Sequence, residues 1–200
     1  MTKQALLIFT KNAEAGKVKT RLAATIGNEA ALSIYMQLIA HTIAVTEALP
    51  VDKFVFYSGY IEREGAWSNK NYFKQLQQGN DLGERMSQAF AFAFQKGHNQ
   101  IVIIGTDCPE LNAEIIINAF ALLNKHDVVI GPAEDGGYYL LGMKQHYSEL
   151  FENMHWSTNT VFDETARKCA ALQLAYCLLP VLKDIDEEKD LVHLKKHVHE

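Results

Sequence analysis

Residues 101–109, IVIIGTDCP, are the stretch of sequence that decides the fold. Four consecutive apolar residues run into a glycine, and such an uninterrupted run is typical of a central strand that is covered on both faces. In an open α/β sheet, ligands bind beyond the carboxyl ends of the strands. Asp107 follows this predicted strand and is therefore a candidate ligand-binding residue, although an aspartate here can also cap the next helix.

Other apolar runs recur along the chain with helical stretches between them. Short runs predict strands at residues 5–10, 53–58, 72–76, 127–130, 138–143 and 174–182. Apolar residues at helical spacing predict helices over 28–49, after 81, over 112–124, up to about 171 and after 186. About seven strands alternating with helices predict an α/β fold with a mixed, mostly parallel sheet and helices on both faces, formed by one domain over residues 1–200.

The composition narrows the class of protein. The chain has 200 residues, 48% of them hydrophobic, and a net charge of −5, which argues against a nucleic-acid-binding surface. Its apolar runs are far shorter than the ~20 residues of a membrane span. The three cysteines have no metal-binding spacing, so we expect a reducing, cytoplasmic location.

The segment after the first predicted strand carries the clearest excess of positive charge. Its sequence, KNAEAGKVKTRL (11–22), contains a single acid, Glu14, and four cations, Lys11, Lys17, Lys19 and Arg21. A loop with a glycine at Gly16 can bend its amides and cations around an anion. It is not a P-loop, because the required first glycine and the Ser or Thr after the lysine are missing. The sequence predicts an anion-binding loop, with a solvated basic turn as the alternative.

A second glycine-containing segment is QQGNDLGER (77–85). The spacing of Asp81 and Glu84 is that of a capping box, which predicts a helix N-terminus. Gly79 and Gly83 would let a ligand approach the backbone closely. Arg85 is either a surface residue or a phosphate contact.

Acidic residues follow two further predicted strands. Asp135 precedes Gly136 and Gly137, a pattern that indicates either a close approach of ligand to backbone or a simple hairpin turn. Asp184 and Asp186 alternate in an extended segment and so share a face, although Asp186 can also cap the helix after it. Cations and carboxylates at one sheet edge suit a polyphosphate with a divalent ion, and oxygen ligands favour Mg²⁺ or Mn²⁺.

These motifs together resemble a small family of GT-A-like bacterial glycosyltransferases that is associated with arsenosugar biosynthesis. The matching segments are FTKNAEAGKVKTRLA, QQGNDLGERM, IVIIGTDCPEL, VVIGPAEDGGYYLLG and HWST, which cover nearly all of the chain. The resemblance implies a single-domain nucleotide-diphosphosugar transferase (GT-A, Rossmann-like) fold, a nucleotide-sugar donor, a small-molecule acceptor and a Mg²⁺ or Mn²⁺ cofactor. The family often has a proline where this chain has Asn12 and Ala13, so we expect a looser first loop.

The resemblance also implies roles for individual residues. Asp107 would bind the metal, together with Asp186, and Asp135 would be catalytic near the acceptor. The nucleotide-binding set would be Lys11, Gly16, Lys17, Lys19, Arg21, Gly79, Asp81, Gly83 and Thr106. The acceptor-binding set would be Gly136, Gly137, Tyr138 and Trp156, although packing in the core is an equal alternative for Trp156. Cys108 is expected to be a buried thiol, since no base lies beside it in the sequence.

Two other functions stay open at this stage. The first loop and the ending LKDIDEEKDL (182–191) also look like those of nucleotidyltransferases on this fold, which release pyrophosphate. A non-catalytic module that binds nucleotide sugars would have the same pocket.

Overall fold

The computed structural model describes residues 2–68 and 70–197 of the chain and contains one seven-stranded sheet. Its strands are β1 (Gln4–Thr10), β2 (Asp52–Tyr57), β3 (Phe73–Leu76), β4 (Gln100–Ile104), β5 (Val128–Pro132), β6 (Tyr138–Met143) and β7 (Tyr176–Leu178). Their order is β3-β2-β1-β4-β6-β5-β7. β6 runs antiparallel to β4 and β5, and the other neighbouring pairs are parallel. The predicted α/β class and the mixed, mostly parallel sheet are confirmed.

Six α-helices connect and cover these strands in the described part of the chain. They are α1 (Thr20–Ile26), α2 (Asn28–Thr46), α3 (Leu82–Gln95), α4 (Ala113–Leu122), α5 (Val161–Ala171) and α6 (Leu191–His197). Residues of α2 and α4 share one hydrophobic core, and residues of α3 and α5 share another. None of the helices in the described residues is both long and apolar enough to cross a membrane.

The two cores lie on opposite faces of the sheet because successive side chains of a strand point to opposite sides. In β1, Leu6 and Ile8 enter the core of α2 and α4, while Ala5 and Leu7 enter the core of α3 and α5. All four are fully buried, and burial of each Leu or Ile side chain contributes about 1.5–3 kcal/mol. β4 is buried along its whole length between β1 and β6, as predicted for the central strand.

A third, smaller core attaches the C-terminal segment near the carboxyl ends of the strands. It contains Leu22 of α1, Leu38 of α2, Leu194 of α6 and the fully buried Ile185. Since Ile185 is buried here, its neighbours in an extended segment point to the opposite side. This arrangement directs Asp184 and Asp186 together toward the sheet edge.

Several predicted element boundaries were wrong. The basic segment was predicted to be a loop throughout, but residues 20–26 form α1, which packs on α2. The helix predicted over 28–49 ends at Thr46, and its N-cap is Gly27 rather than Asn28. The strand predicted over 174–182 is limited to Tyr176–Leu178, with one isolated bridge between Leu182 and Ala133.

Candidate functional site

A cavity of about 760 Å³ opens at the carboxyl edge of β1 and β4. The segments after β1 and β4, the first turn of α3, the start of β6, the turn before α5 and residues 184–186 form its walls. This is the position at which open α/β sheets bind ligands. Of the predicted site residues, the cavity is lined by Lys11, Lys19, Arg21, Asp81, Thr106, Asp107, Tyr138, Trp156 and Asp186.

Lys19 is the centre of the charged side of this cavity. Its side chain is only 4% exposed, and its Nζ lies 2.6 Å from Oδ1 of Asp107 and 3.4 Å from Oδ1 of Asp186. The same Nζ donates a hydrogen bond of 2.6 Å to the carbonyl of Ile185. Burial opposes the charge on Lys19, but the surrounding carboxylates, Asp107 foremost, outweigh it and raise its pKa. Lys19 is therefore a charged group held inside the protein by acids from two distant segments.

The backbone at Lys19 is strained. Its φ of 48° and ψ of 45° place a non-glycine residue in the left-handed region. Such conformations cost about 1–3 kcal/mol and concentrate at functional sites. The strain is compensated here by the three Nζ contacts, so the geometry of the loop and the position of the ammonium depend on each other.

The acidic partners are joined to each other by the backbone as well. The amide of Ile185 donates a 3.0 Å hydrogen bond to the carbonyl of Asp107. Arg21 adds a second cation, with its Nη2 2.7 Å from Oδ2 of Asp186. Both oxygens of Asp186 therefore face cations, whereas Asp107 uses its Oδ1 for Lys19 and keeps 44% of its side chain exposed.

Asp184 is a third carboxylate of this cluster. Its Oδ1 is buried and has no hydrogen-bond partner in the described structure. Burial, reinforced by the charge of Asp107, raises the pKa of Asp184 to about 8, and Lys19 opposes this effect. A buried carboxyl group that lacks a partner is costly, which makes Asp184 a candidate functional residue.

Tyr35 of α2 holds the ends of the central strands together below the cluster. Its hydroxyl lies 3.1 Å from Oγ1 of Thr10, and it accepts hydrogen bonds from the backbone amide of Lys11 at 2.8 Å and from Oγ1 of Thr106 at 3.3 Å. Burial raises the pKa of Tyr35, so the hydroxyl stays protonated. Thr106, predicted to bind nucleotide, thus lines the cavity but also has this structural role.

Asn12 corrects the expectation of a loose first loop. Its side chain is buried and makes four hydrogen bonds. Its Nδ2 donates to the carbonyl of Tyr60 and to Oε1 of Glu62, and its Oδ1 accepts from the amides of Gly59 and Tyr60. The loop after β1 is thereby attached to the loop after β2. The asparagine fixes this segment by a different means than a proline ring would.

Two predicted residues of the basic loop lie outside the cavity lining. Lys17 is 72% exposed, and its Nζ pairs with Oε2 of Glu14 at 2.6 Å. Gly16 has a φ of 78° and forms the turn between them, closed by a 3.0 Å hydrogen bond from the amide of Lys17 to the carbonyl of Glu14. The proposed role of Lys17 in nucleotide binding stays a prediction, whereas Lys11, Lys19 and Arg21 of the basic segment line the cavity.

The wall opposite the carboxylates is built by α3 and Trp156. As predicted, Asp81 caps α3 by accepting a 2.8 Å hydrogen bond from the amide of Glu84. Gly83 lies so close to the indole of Trp156 that a Cβ there would collide with the ring. Gly79 has a φ of 134° and lies against Glu84. The two glycines are therefore explained by packing within the protein, and Gly83 positions an aromatic side chain of the cavity.

Asp135 lies in the turn between β5 and β6 rather than in the cavity lining. Its Oδ1 accepts a 2.9 Å hydrogen bond from the amide of Gly137. Gly136 has a φ of 88°, and a Cβ there would collide with the backbone of Asn159. The hairpin turn that we kept as the alternative is present, while the charge of Asp135 still reaches Asp184. Its catalytic role stays a prediction.

Sequence reasoning did not assign several residues that line the cavity to the site. They are Ser58, Gln77, Asn80, Tyr35 and Asp184, while Arg85, for which a surface position and a phosphate contact were both left open, also lines the cavity. The alternation of Asp184 and Asp186 indicated that both side chains share a face, but only Asp186 was predicted to bind the metal. Tyr35 lies on the apolar stripe of α2, where nothing in the sequence distinguishes it from a core residue. Cys108 is buried as predicted, and burial raises the pKa of its thiol.

The carboxylates are not arranged as a complete metal site. Within residues 2–68 and 70–197, no three His, Cys, Asp or Glu side chains are placed to hold an ion. The chemistry of the donors nevertheless fits a hard divalent cation, because Asp107, Asp184 and Asp186 supply only oxygens and the buried Oδ1 of Asp184 has no partner. Asp107 and Asp186 as metal ligands stay a prediction.

Comparisons with known proteins agree with this architecture. Residues 41–158 match the family described as "Uncharacterized protein conserved in bacteria (DUF2064)". Among curated proteins, none matches the sequence. A crystal structure of a candidate nucleotide-diphospho-sugar transferase from Desulfovibrio desulfuricans G20 is 32% identical, with a TM-score of 0.87, and the match covers 94% of this chain and 84% of that one.

Two more distant structures share the fold alone. Rv0371c from Mycobacterium tuberculosis, solved in complex with manganese, is 11% identical with a TM-score of 0.58, over 98% of this chain and 99% of its own. The inositol-1-phosphate CTP transferase from T. maritima is 11% identical with a TM-score of 0.54, over 100% of this chain and 97% of its own. The predicted fold of nucleotidyl and sugar transferases is confirmed.

Proposed function

The chain belongs to the DUF2064 family of bacterial proteins, and we propose that it is a metal-dependent glycosyltransferase, which moves a sugar from a nucleotide diphosphosugar to a small acceptor. The observation that carries this proposal is the cluster on the charged side of the cavity, in which Lys19 lies between Asp107 and Asp186. The name of the 32% identical Desulfovibrio structure supports the same reaction class. In this cluster, cations that would bind phosphates lie beside carboxylates that would bind a metal ion.

The residues of the chain would act mainly by binding and charge neutralisation. Lys19, Arg21 and Lys11 would contact the diphosphate, whose negative charge increases as the bond to the sugar breaks. Fixed cations in a partly buried cavity stabilise that charge more than solvated cations do, because they are already oriented. Tyr35 would keep the two strand ends that carry Lys11 and Thr106 in register with each other.

Asp107 and Asp186 would hold Mg²⁺ or Mn²⁺, with Asp184 as a third available carboxylate. When bound, the ion would supply Lewis-acid stabilisation of the departing nucleoside diphosphate. Asp135 is the proposed base for the acceptor hydroxyl, because it lies in the turn directly before β6, whose first residue, Tyr138, lines the cavity. A base must come within hydrogen-bond distance of the proton it removes, so the acceptor would have to bind beside the turn between β5 and β6.

Product analysis tests the proposal directly. The protein is incubated with a panel of nucleotide sugars and nucleoside triphosphates, each with Mn²⁺ or Mg²⁺, and nucleoside diphosphate and pyrophosphate are measured separately. Release of nucleoside diphosphate is expected. Pyrophosphate released from triphosphates would instead establish nucleotidyl transfer, and tight binding without turnover of any donor would establish a binding module.

The variant Asp107→Asn tests the role of the cluster. We expect it to lose metal-dependent binding of a nucleoside diphosphate while its thermal unfolding stays cooperative. Asp163→Asn is the matched control, because Asp163 is exposed on α5 and does not line the cavity. If Asp107→Asn binds nucleotide and Mn²⁺ as well as the control does, the cluster is structural and the proposal is wrong.

A further inference from the structure

The cavity has two sides that differ in chemistry. The charged side is formed around Asp107 and residues 184–186, next to the core that contains Ile185. The other side, which we name the indole wall, consists of Arg85, Tyr138, Trp156 and Ser157. Tyr138 and Trp156 pack against the core on the α3 face of the sheet. The indole wall therefore lies across the sheet edge from the part of the cavity that fits a diphosphate.

The indole of Trp156 is held firmly on this wall. One contact is the close approach of Gly83, and a second is the ring of Phe151, stacked at 22° with centroids 6.4 Å apart. Ser157, the next residue, has a φ of 63°, in the left-handed region that non-glycine residues rarely adopt. Strain at a residue that lines a cavity is typical of a side chain held in place for a ligand.

Arg85 supplies an unbalanced positive charge on the same wall. Its Nε donates a 3.1 Å hydrogen bond to the carbonyl of Gly79, which fixes the plane of the guanidinium. The nearby acids have other partners, since Asp81 caps α3 and Glu84 accepts hydrogen bonds from Asn80. No carboxylate in the described residues forms an ion pair with Arg85. Arg85 thus lines the cavity as a cation that no carboxylate of the described residues neutralises.

We propose that the indole wall binds an anionic sugar, whose ring lies on Trp156 and whose phosphate or carboxylate is bound by Arg85. This inference rests on the proposed function, in which the second substrate occupies this end of the cavity. An arginine guanidinium binds phosphate and carboxylate in a planar, two-point geometry, and an indole face packs against the C–H face of a sugar ring. The nucleotide phosphates go to the basic loop, so Arg85 is available for the second substrate.

Binding measurements separate the two anionic forms. Titrations of the wild-type protein use glucose 1-phosphate, glucuronic acid, neutral glucose and inorganic phosphate, followed by tryptophan fluorescence. Trp67 is fully buried and gives a constant background, so the change reports Trp156, and Trp156→Phe should abolish it. We expect at least one anionic sugar to bind tenfold or more tightly than glucose and phosphate. The proposal would be overturned if neither glucose 1-phosphate nor glucuronic acid bound more tightly than both glucose and inorganic phosphate.

Arg85→Gln supplies the second test. We expect at least a tenfold loss of affinity for the anionic sugar, no change for a nucleoside diphosphate, and partial recovery in Arg85→Lys. Arg167→Gln is the matched control, because Arg167 makes the same kind of Nε hydrogen bond, to the carbonyl of Asp163, on the exposed face of α5.

The outcomes of this test distinguish the two proposals. An unchanged sugar affinity in Arg85→Gln, or an equal loss of nucleoside diphosphate affinity, would overturn the assignment of Arg85. A wild-type protein that binds anionic sugars but no nucleotide would refute the proposed function and leave the indole wall as a sugar site.

Discussion

Replacement of Lys19 by methionine is the most informative perturbation of this structure. Methionine keeps the length and much of the apolar stem but removes the ammonium from Asp107 and Asp186. Removing one partner of a fully buried ion pair costs about 3–5 kcal/mol, whereas exposed pairs contribute about 0–1 kcal/mol. Lys19 is 4% exposed, but the side chains of Asp107 and Asp186 are 44% and 29% exposed, so water would screen the uncompensated charges. We therefore expect a loss of about 2–3 kcal/mol in the free energy of unfolding.

The dependence of this loss on pH identifies its cause. A lysine whose pKa is raised in the folded state stabilises the protein fully below the unfolded pKa, so the contribution of Lys19 is constant near neutral pH. The difference between wild type and Lys19→Met should therefore be the same across neutral pH and shrink only as the pH rises above the ordinary lysine pKa of 10.5.

Urea denaturation at a series of pH values, in metal-free buffer, measures this difference. Arg21→Met is the control, because Arg21 pairs with the same Asp186 but is 67% exposed. It should cost less than about 1 kcal/mol. A loss in Lys19→Met that does not shrink above the ordinary lysine pKa would mean that packing, not charge, holds this side chain, and equal losses in both variants would refute the assignment of a buried cluster.

Three further predictions concern the residues around this cluster. Tyr35→Phe leaves the amide of Lys11 without its buried partner and should lower the free energy of unfolding by about 1–3 kcal/mol in urea titrations, whereas no loss would refute the role of the hydroxyl. Arg21→Ala should weaken nucleoside diphosphate binding more at low than at high salt in calorimetry. Its effect should exceed that of Lys17→Ala, because Arg21 lines the cavity and Lys17 does not; the reverse order would contradict the cavity lining. Because the pKa of Asp184 is raised in the folded state, its contribution to stability is fully present below pH 4 and is lost as the pH rises through about 8. In metal-free protein, the free energy of unfolding of Asp184→Asn should therefore rise relative to that of wild type by at least about 1 kcal/mol between pH 4 and pH 8. Parallel stability curves for Asp184→Asn and wild type would show that this carboxyl is solvated.

The central strands could be predicted because their own side chains carry the signal. β1 and β4 are buried on both faces, so each appears in the sequence as an uninterrupted apolar run. The edge strands β3 and β7 carry partly exposed side chains, and the boundaries of β7 were missed. Helix α1 was missed because Leu22 is its one buried residue and charged residues precede it. Packing on α2 therefore determines this helix more than its local pattern does.

The chemistry of the site could be predicted from the sequence, but its geometry could not. The types of residue, cations in one loop and acids at strand ends, were sufficient to indicate a charged cavity. The sequence could not distinguish Lys17 from Lys19, because both are lysines in the same basic segment. Only the structure shows that Lys17 is exposed and pairs with Glu14, whereas Lys19 is buried against Asp107. The left-handed backbone of Lys19 and its bond to Ile185 depend on a segment 166 positions away. Sequence spacing carries no information on such a contact.

The charge balance of the cavity argues that the nucleotide and the divalent ion bind together. Asp107 and Asp186 already neutralise the two cations of the cluster, Lys19 and Arg21, so this side of the cavity has no surplus positive charge for a diphosphate. A nucleotide that entered alone would add negative charge beside the carboxylates. A divalent ion that entered alone would compete with the Lys19 ammonium for the same oxygens. Under the proposed function the two therefore enter together, because each supplies the charge that the other lacks, and each must raise the affinity of the other.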